Sequence, residues 1–390
     1  MLPILIAGGG IGGLTLALAL ARHGVRSTVL EARAKPPREG AGIQLGPNAT
    51  RLLARLGVAN TLQSNAVSPE CIIVYDGLTG LELTRLPLGN WLAQRYGAPY
   101  WVVHRGALQN SLWSAAEAEA LITLEPGRNV QTIQDEVTAR GPIVGTSNGR
   151  SVSGSVLVGA DGLWSRVRAH VNSKMQLSYT GVAAARALVP RHQVDSAFAE
   201  RATGVWLAPD THVVHYPVDG GARLAIVAIS AREELAEGWN VEIDDNVIAE
   251  RFHQMPKPVR DLLYSAQGWR QWALLKPQGP TVWYRGRSVL IGDAAHPILP
   301  FLAQGGAMAV EDAVELANKI AAVPGDPASV FATFAKDRKT RIEKVQAASI
   351  ANGQTYHLDG IAAAARNLTL RMVPSHLLMR RYDWIYGYVA

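Results

Sequence analysis

The chain has 390 residues, 48% of them hydrophobic, which at roughly 150 residues per domain is room for two or three domains with sizeable cores. Its formal net charge of +6 is spread over scattered Lys and Arg rather than a dense run, which excludes a nucleic-acid-binding tract and fits a protein that welcomes anionic ligands. The single cysteine, Cys71, excludes an internal disulfide and a cysteine metal cluster, and no apolar run reaches the roughly 18 residues a membrane span needs, so a soluble, cytoplasmic protein without metal is expected.

The first element is a short apolar strand, Pro3-Ile4-Leu5-Ile6-Ala7, that breaks into Gly8-Gly9-Gly10-Ile11-Gly12-Gly13. A helical apolar pattern over 14–21 follows, then a second strand, Ser27-Thr28-Val29-Leu30, ending in Glu31. Strand, glycine turn, helix, strand and acid form the layout that holds a dinucleotide. Gly8 permits the tight turn, Gly10 lets the backbone approach a pyrophosphate, and Gly13 lets helix and strand pack closely. The phosphates sit at the helix N-terminus, where free N–H groups and the dipole favour anions. Glu31 stands 18 residues past Gly13, near the spacing of about 20 for an acid that grips ribose hydroxyls. The fingerprint does not choose between NAD and FAD. Its apolar start lacks the basic flank of a secretory signal.

A glycine-rich loop, 39–48, leads into a predicted helix over 49–56 with Asn48 as its N-cap. Residues 70–103 read as strands and turns; within them Cys71 sits in a strand-like run and is expected as a buried small hydrophobe. A helix is predicted over 108–119, and a buried strand at 155–160 runs into the Asp161-Gly162 turn. The strand-like runs between 177 and 275 carry no nucleotide signature and read as an antiparallel sheet domain. Another buried strand, Ser288-Val289-Leu290-Ile291, ends at Gly292-Asp293; a helix is predicted over 305–322, and helices dominate to the end. The fold class is α/β, α+β overall. A Rossmann-like dinucleotide-binding domain is assigned to 1–75, 101–175 and 280–330, an inserted substrate sheet to 76–100 and 176–279, and a helical region to 331–390.

Three segments, 8–13, 159–168 (Gly-Ala-Asp-Gly-Leu-Trp-Ser-Arg-Val-Arg) and 292–306 (Gly-Asp-Ala-Ala-His-Pro-Ile-Leu-Pro-Phe-Leu-Ala-Gln-Gly-Gly), together resemble the single-component FAD-dependent aromatic hydroxylases. The likeness is to the branch of salicylate hydroxylase and 3-hydroxybenzoate 6-hydroxylase, and it runs to 382–388. The resemblance implies tight, non-covalent FAD and NADH or NADPH as co-substrate. It also implies O2 and hydroxylation of a phenolic or heteroaromatic acid through a flavin C4a-hydroperoxide.

Carried over by motif, Glu31 binds the adenosine ribose with Arg33 beside it, Arg105 approaches the phosphates and flavin-side atoms, and Asp293 holds the ribityl chain. Asp161 falls in a segment the family uses for FAD and nicotinamide. Its plainer reading is an Asp-Gly turn, as that of Arg105 is a surface salt bridge. Pro300 lies beside the flavin ring, and Gly305-Gly306 open a helix whose N–H groups face its pyrimidine edge. Gln44 is a further lining candidate. His296 is expected to hold the loop, and Glu311-Asp312 to be a structural or solvated pair.

In Thr211-His212-Val213-Val214-His215-Tyr216, alternation puts His212, Val214 and Tyr216 on one face and His215 on the other. A histidine titrates near neutrality and can take a phenol's proton, so His212 is the candidate base with Tyr216 as its hydrogen-bonding neighbour. The alternative is a histidine that satisfies a core hydrogen bond. Relatives often carry Trp-Arg-Gly where this chain has Ala185-Arg186-Ala187, which predicts a lost aromatic wall and a larger pocket. With Pro300-Phe301 in the loop, a more apolar pocket is expected.

Competing readings are a hydroxylase of a larger apolar or quinone-like ring, a non-oxygenating FAD oxidoreductase, and a FAD-binding partner or redox sensor. The Trp-x-Trp-x-Ile-Pro stretch of a flavin-dependent halogenase is absent. Segment 365–381 mixes apolar residues with arginines and reads as a helix packed on the body or a membrane-surface segment. A monomer or homodimer is expected.

Overall fold

The protein is described from a computed structural model that covers residues 2–35, 41–134, 141–198, 200–231 and 240–390. Glu39 and Gly40 of the glycine-rich loop lie outside the described residues.

Two sheets organise the chain. The first has six strands, in the order Tyr284–Arg285, Ser288–Leu290, Leu157–Gly159, Ile4–Ala7, Ser27–Glu31, Ile122–Pro126, all parallel except the first. The central strands are near-continuous apolar runs because helices cover both faces of a parallel sheet. The helices Ile11–Arg22 and Gly305–Ala322 pack closely; a Cβ on Gly12 would stand 3.4 Å from that of Ala309.

The second sheet has eight strands, in the order Val241–Glu242, Arg270–Gln278, Gln176–Pro190, Arg223–Ala231, Thr211–Val218, Ala202–Ala208, Cys71–Asp76, Glu82–Pro87. It is antiparallel apart from the pairing of Ala202–Ala208 with Cys71–Asp76. The block 1–75 therefore contributes to both sheets. A short antiparallel pair, Gly42–Leu45 with Trp101–His104, lies between them and lines part of the cavity.

Several elements differ from expectation. The helix Pro47–Arg55 starts at Gly46, and Asn48 does not cap it: buried, its Nδ2 donates to Gln304 Oε1 (3.0 Å) and Glu311 Oε1 (2.8 Å). A helix, Gly89–Tyr96, interrupts the strands of 70–103. The helix predicted over 108–119 runs Arg105–Glu117. The sheet block contains two helices, Asp245–Arg251 and Lys257–Ser265. Residues of the second bury Val259, Leu262 and Leu263 against the back face of the large sheet. Cys71 is half-buried rather than buried.

The end of the chain is helical: Pro327–Tyr356, Gly360–Met372, Ser375–Arg380 and Asp383–Tyr386. Within 365–381, Arg366, Leu378 and Met379 are buried against the body while Leu368 and Met372 are exposed. Among the described residues no helix is long and apolar enough to cross a membrane.

Candidate active site

A cavity of about 380 Å³ opens between the two sheets. One end is lined by Gly10, Ile11, Gly12, Ala160, Gly162 and Asp293, the other by the face of the large sheet.

The nucleotide end is made of backbone. Gly8 has φ +106°, and a Cβ there would stand 2.4 Å from Ala160 O; one on Gly13 would stand 2.0 Å from Gly8 O. Only glycine fits either position. A Cβ on Gly10 would meet nothing within 4 Å, so the turn leaves open space at a helix N-terminus. Glu31 accepts from Gly9 N (2.7 Å) and Arg33 N (2.9 Å), with lone pairs to spare for a ribose diol. The Arg33 side chain is exposed beside it. Gln109, which the spacing did not mark, donates to Gly9 O (2.7 Å) and holds the turn.

Asp293 lines the cavity and is open to it, and no donor among the described residues bonds its carboxylate. Burial raises its carboxyl against the pull of Arg105, His296 and Arg168. A cavity-facing carboxylate without a donor among the described residues fits a ligand rich in hydroxyls. Arg105 lines the same wall. The carboxylate of Asp161 is taken by Ser165 Oγ, Arg166 N (2.8 Å) and Val167 N (3.2 Å); its neighbours Ala160 and Gly162 are what face the cavity. Burial raises the Asp161 carboxyl, and those hydrogen bonds oppose it. Arg168 ties this loop to the next, bonding Leu163 O and Asp293 O (3.3 Å).

Pro300, Phe301 and Leu302 form a 3-10 turn on the cavity wall, followed by Ala303 at φ +52°. A non-glycine residue in the left-handed region costs about 1 kcal/mol or more and persists where surrounding structure imposes it. Gly305 and Gly306 then open the helix Gly305–Ala322 at the cavity. Gln44 lines the cavity and accepts a hydrogen bond from Tyr100 Oη.

Behind this loop lies a buried ionic cluster. Asp312 accepts from Gly292 N (2.9 Å), His296 Nε2 (2.5 Å) and Arg338 Nε (2.7 Å). Glu311 accepts from Arg338 Nη1 (2.8 Å), Arg341 Nε (2.6 Å) and Asn48. Burial by itself would raise the Asp312 carboxyl; the charges of His296 and Arg338 and its hydrogen bonds hold it well below the usual range. Glu311-Asp312 is thus structural and fully buried, not solvated. His296 holds the loop, as expected.

The substrate end is a sheet face. Val74, Val205, Val214, Val227 and Arg186 share one row across five strands and all line the cavity. His212, Val214 and Tyr216 face the cavity, and His215 packs behind on Phe198 and Trp206.

The expected pairing of His212 with Tyr216 is not formed. Tyr216 Oη donates to Gly42 O (3.0 Å), while His212 Nδ1 lies 2.7 Å from His357 Nε2. The strand period puts His212 and Tyr216 four residues apart on one face, too far for contact. Burial, then His357, holds the His212 imidazole well below its ordinary value, so it is neutral near pH 7. His357, 145 residues away, was invisible to sequence spacing.

Ala185 and Ala187 belong to the back-face core, so the missing tryptophan does not open the cavity; Arg186 alone of the three faces it. Phe301, Tyr356, Tyr382 and Tyr386 close the aromatic wall.

The sequence of residues 1–349 matches the family model described as FAD binding domain. The chain is 34% identical to 3-hydroxybenzoate 6-hydroxylase 1 of Aquipseudomonas alcaligenes, over 98% of this chain and 97% of that protein. The chain belongs to the FAD-dependent aromatic hydroxylases. It is also 33% identical to 3-amino-4-hydroxybenzoate 2-monooxygenase PtmB3 of Streptomyces platensis, over 99% and 96% of the two chains. A Klebsiella pneumoniae HpxO variant complexed with FAD shares the fold, at TM-score 0.86 and 24% identity over 99% and 98%. This hydroxylase is a flavoprotein monooxygenase, and FAD is its cofactor.

Proposed function

We propose that this hydroxylase oxygenates the ring of a phenolic or heteroaromatic acid, with NADH or NADPH as electron donor and O2 as oxidant. The carrying observation is the placement of His212: a neutral, buried imidazole on an otherwise largely apolar cavity face, backed by a second imidazole. FAD is held along Gly8, Gly10 and Gly13, with Glu31 and Arg33 at the adenosine ribose. Arg105 serves the phosphates and Asp293 the ribityl hydroxyls, while Gln44, Gly305 and Gly306 lie at the ring end. Asp161 positions its loop through the bonds it makes to 165–167. Sheet strands from Gln176–Pro190 onward carry the substrate.

Bound FAD supplies the redox chemistry, accepting a hydride and activating O2. The chain does the rest. With Nδ1–H donating to His357, the Nε2 lone pair of His212 accepts the phenol proton and raises electron density in the ring. The resulting imidazolium is disfavoured by burial, and its Nδ1 proton passes to His357, which is half-buried and faces Asp210 and Arg366. Pro300 and the aromatic wall exclude water, which protects reactive oxygen from loss as peroxide. The helix N-terminus at Gly305 and Gly306 favours negative charge on the reduced cofactor. The protein works in the cytoplasm as a monomer or homodimer.

The test is pyridine-nucleotide oxidation by the yellow protein in air against hydroxylated aromatic and heteroaromatic acids, with products weighed by mass spectrometry. A compound that speeds oxidation and gains one oxygen atom is the expected result. Acceleration by none of them, or oxidation in which no product gains oxygen under any substrate, refutes the proposal.

A further inference from the structure

The helix Gly360–Met372 is apolar on two opposite sides. At 3.6 residues per turn, Ile361, Ala365, Leu368 and Met372 fall within about 60° of one another, and Ala363, Arg366 and Leu370 lie opposite. The inner side is fixed to the body. Buried Arg366 donates from Nη1 to Thr355 O (3.0 Å) and Tyr356 O (2.9 Å), and Asn367 Nδ2 donates to Asp76 Oδ2 (2.6 Å). Leu370 packs on the cluster of Val74, Leu83, Val205 and Leu207. The outer side is bare: Ile361 is 90% exposed, Leu368 60% and Met372 73%. A surface helix normally turns polar residues outward, and a contiguous exposed apolar stripe marks an interaction site. With its inner side bonded in this way, the helix does not roll to bury the stripe.

Two neighbouring segments extend it. Asp76, the acceptor of Asn367, also receives Leu78 N and Thr79 N (both 2.9 Å), and so ties to this helix a hairpin turn whose Leu78 and Leu81 are exposed. After Pro374, the short helix Ser375–Arg380 turns Leu378 and Met379 into the body and leaves Leu377 exposed.

The charge around the stripe is of one sign. Residues 360–382 hold four arginines and no acidic residue. Arg371 stands at the edge of the stripe, about 80° round the helix from Ile361, and Arg380 and Arg381 lie three and four residues past Leu377. All three are exposed. The flanking acids are occupied: Asp359 caps the helix, and Asp383 bonds Arg95 and Tyr96, with Arg380 a lesser influence on it. That sign selects the occupant. In a two-fold contact between copies of this chain the same patch meets itself, and arginines would face arginines. A cytoplasmic leaflet offers anionic headgroups over acyl chains, which suits basic residues beside large apolar ones.

We infer that the outer face of Gly360–Met372 docks on an anionic lipid bilayer, with Ile361, Leu368 and Met372 where headgroups meet acyl chains and Arg371, Arg380 and Arg381 at lipid phosphates. The protein lies on the surface and does not cross it. The inference is independent of the substrate reading, since none of these six residues lines the cavity. The docked surface is nevertheless next to the cavity wall: Arg380 and Arg381 stand between Met379 and Tyr382, both of which line it.

The test floats the FAD-loaded protein with vesicles of phosphatidylglycerol and phosphatidylcholine in equal parts, and with phosphatidylcholine alone. The wild type is expected to bind the anionic vesicles on the order of 100-fold more tightly, about fivefold per arginine, and to lose that margin as salt rises. Ile361→Ser, Leu368→Ser and Met372→Ser together should weaken binding to anionic vesicles by about 10-fold or more. Arg371→Gln, Arg380→Gln and Arg381→Gln together should erase the preference for anionic lipid. The same number of exposed arginines changed elsewhere, Arg26→Gln, Arg55→Gln and Arg150→Gln, should leave most of it. FAD content and a thermal melt report the folding of each variant. Should the apolar triple variant lose its FAD, Ile361→Ser alone, at the most exposed position, decides. A wild type that does not float with anionic vesicles at low salt, or one that both arginine sets weaken equally, overturns the proposal. So does a dimer in analytical ultracentrifugation that the apolar substitutions dissociate while vesicle binding is unchanged; the stripe is then a contact between copies.

Discussion

One strand, Thr211–Val218, carries two buried histidines with opposite duties. His212 faces the cavity and touches His357, Tyr356 and Phe301. His215 faces the back core against Phe198 and Trp206, and neither of its ring nitrogens has a hydrogen-bond partner among the described residues. Burial depresses both, His215 to about 4. Yet only His212 has a second titratable group to pass a proton to and a cavity to take one from. A lowered imidazole is therefore not in itself a sign of function; the side of the sheet it stands on decides.

The largest expected effect is on the cavity side. His212→Asn should lower turnover roughly 100- to 10,000-fold, the usual contribution of a positioned general base, while FAD content and melting temperature hardly change. Steady-state kinetics beside a thermal melt checks this; turnover within a few-fold of wild type removes His212 from the chemistry.

The back face should behave in reverse. Phe252 is 2% exposed in the core behind the sheet, so Phe252→Ala should cost about 3–5 kcal/mol in urea unfolding with kcat unchanged. A matching loss of kcat would show that the two faces are coupled rather than separate.

His215 gives a pH test of the same division. Its folded value lies below the unfolded one, so the native state binds fewer protons, and stability is full above about pH 6.5 and lost as pH falls toward about 4. His215→Leu should therefore be nearly neutral at pH 8 and recover on the order of 3 kcal/mol near pH 4. Parallel acid unfolding curves for mutant and wild type would refute this.

Smaller shifts should come from the partners of the cavity face. His357 helps hold the His212 imidazole down, so His357→Gln should raise the pH at which the acid limb of kcat begins and slow turnover about 10-fold. An unmoved limb detaches His357 from the base. Tyr216→Phe removes only the bond to Gly42 O, worth about 1 kcal/mol, and should cost a few-fold in KM with little change in kcat.

The sequence by itself determined the nucleotide cradle. Gly8, Gly10, Gly13 and Glu31 are readable because they act within one strand-turn-helix-strand unit, where spacing fixes geometry. The two faces of 211–216 are equally local, since successive strand residues alternate. Strand alternation also held what was missed at Arg186: it sends Ala185 and Ala187 to the back core and leaves Arg186 in the cavity. Only the tertiary structure decided the rest. Asn48 reaches 256 residues along the chain to Gln304, His212 meets His357, and Arg338 neutralises Glu311 and Asp312 behind the loop. Those contacts depend on how two sheets and the long helix Pro327–Tyr356 dock, and no periodicity along the chain encodes a distance between elements so far apart in sequence.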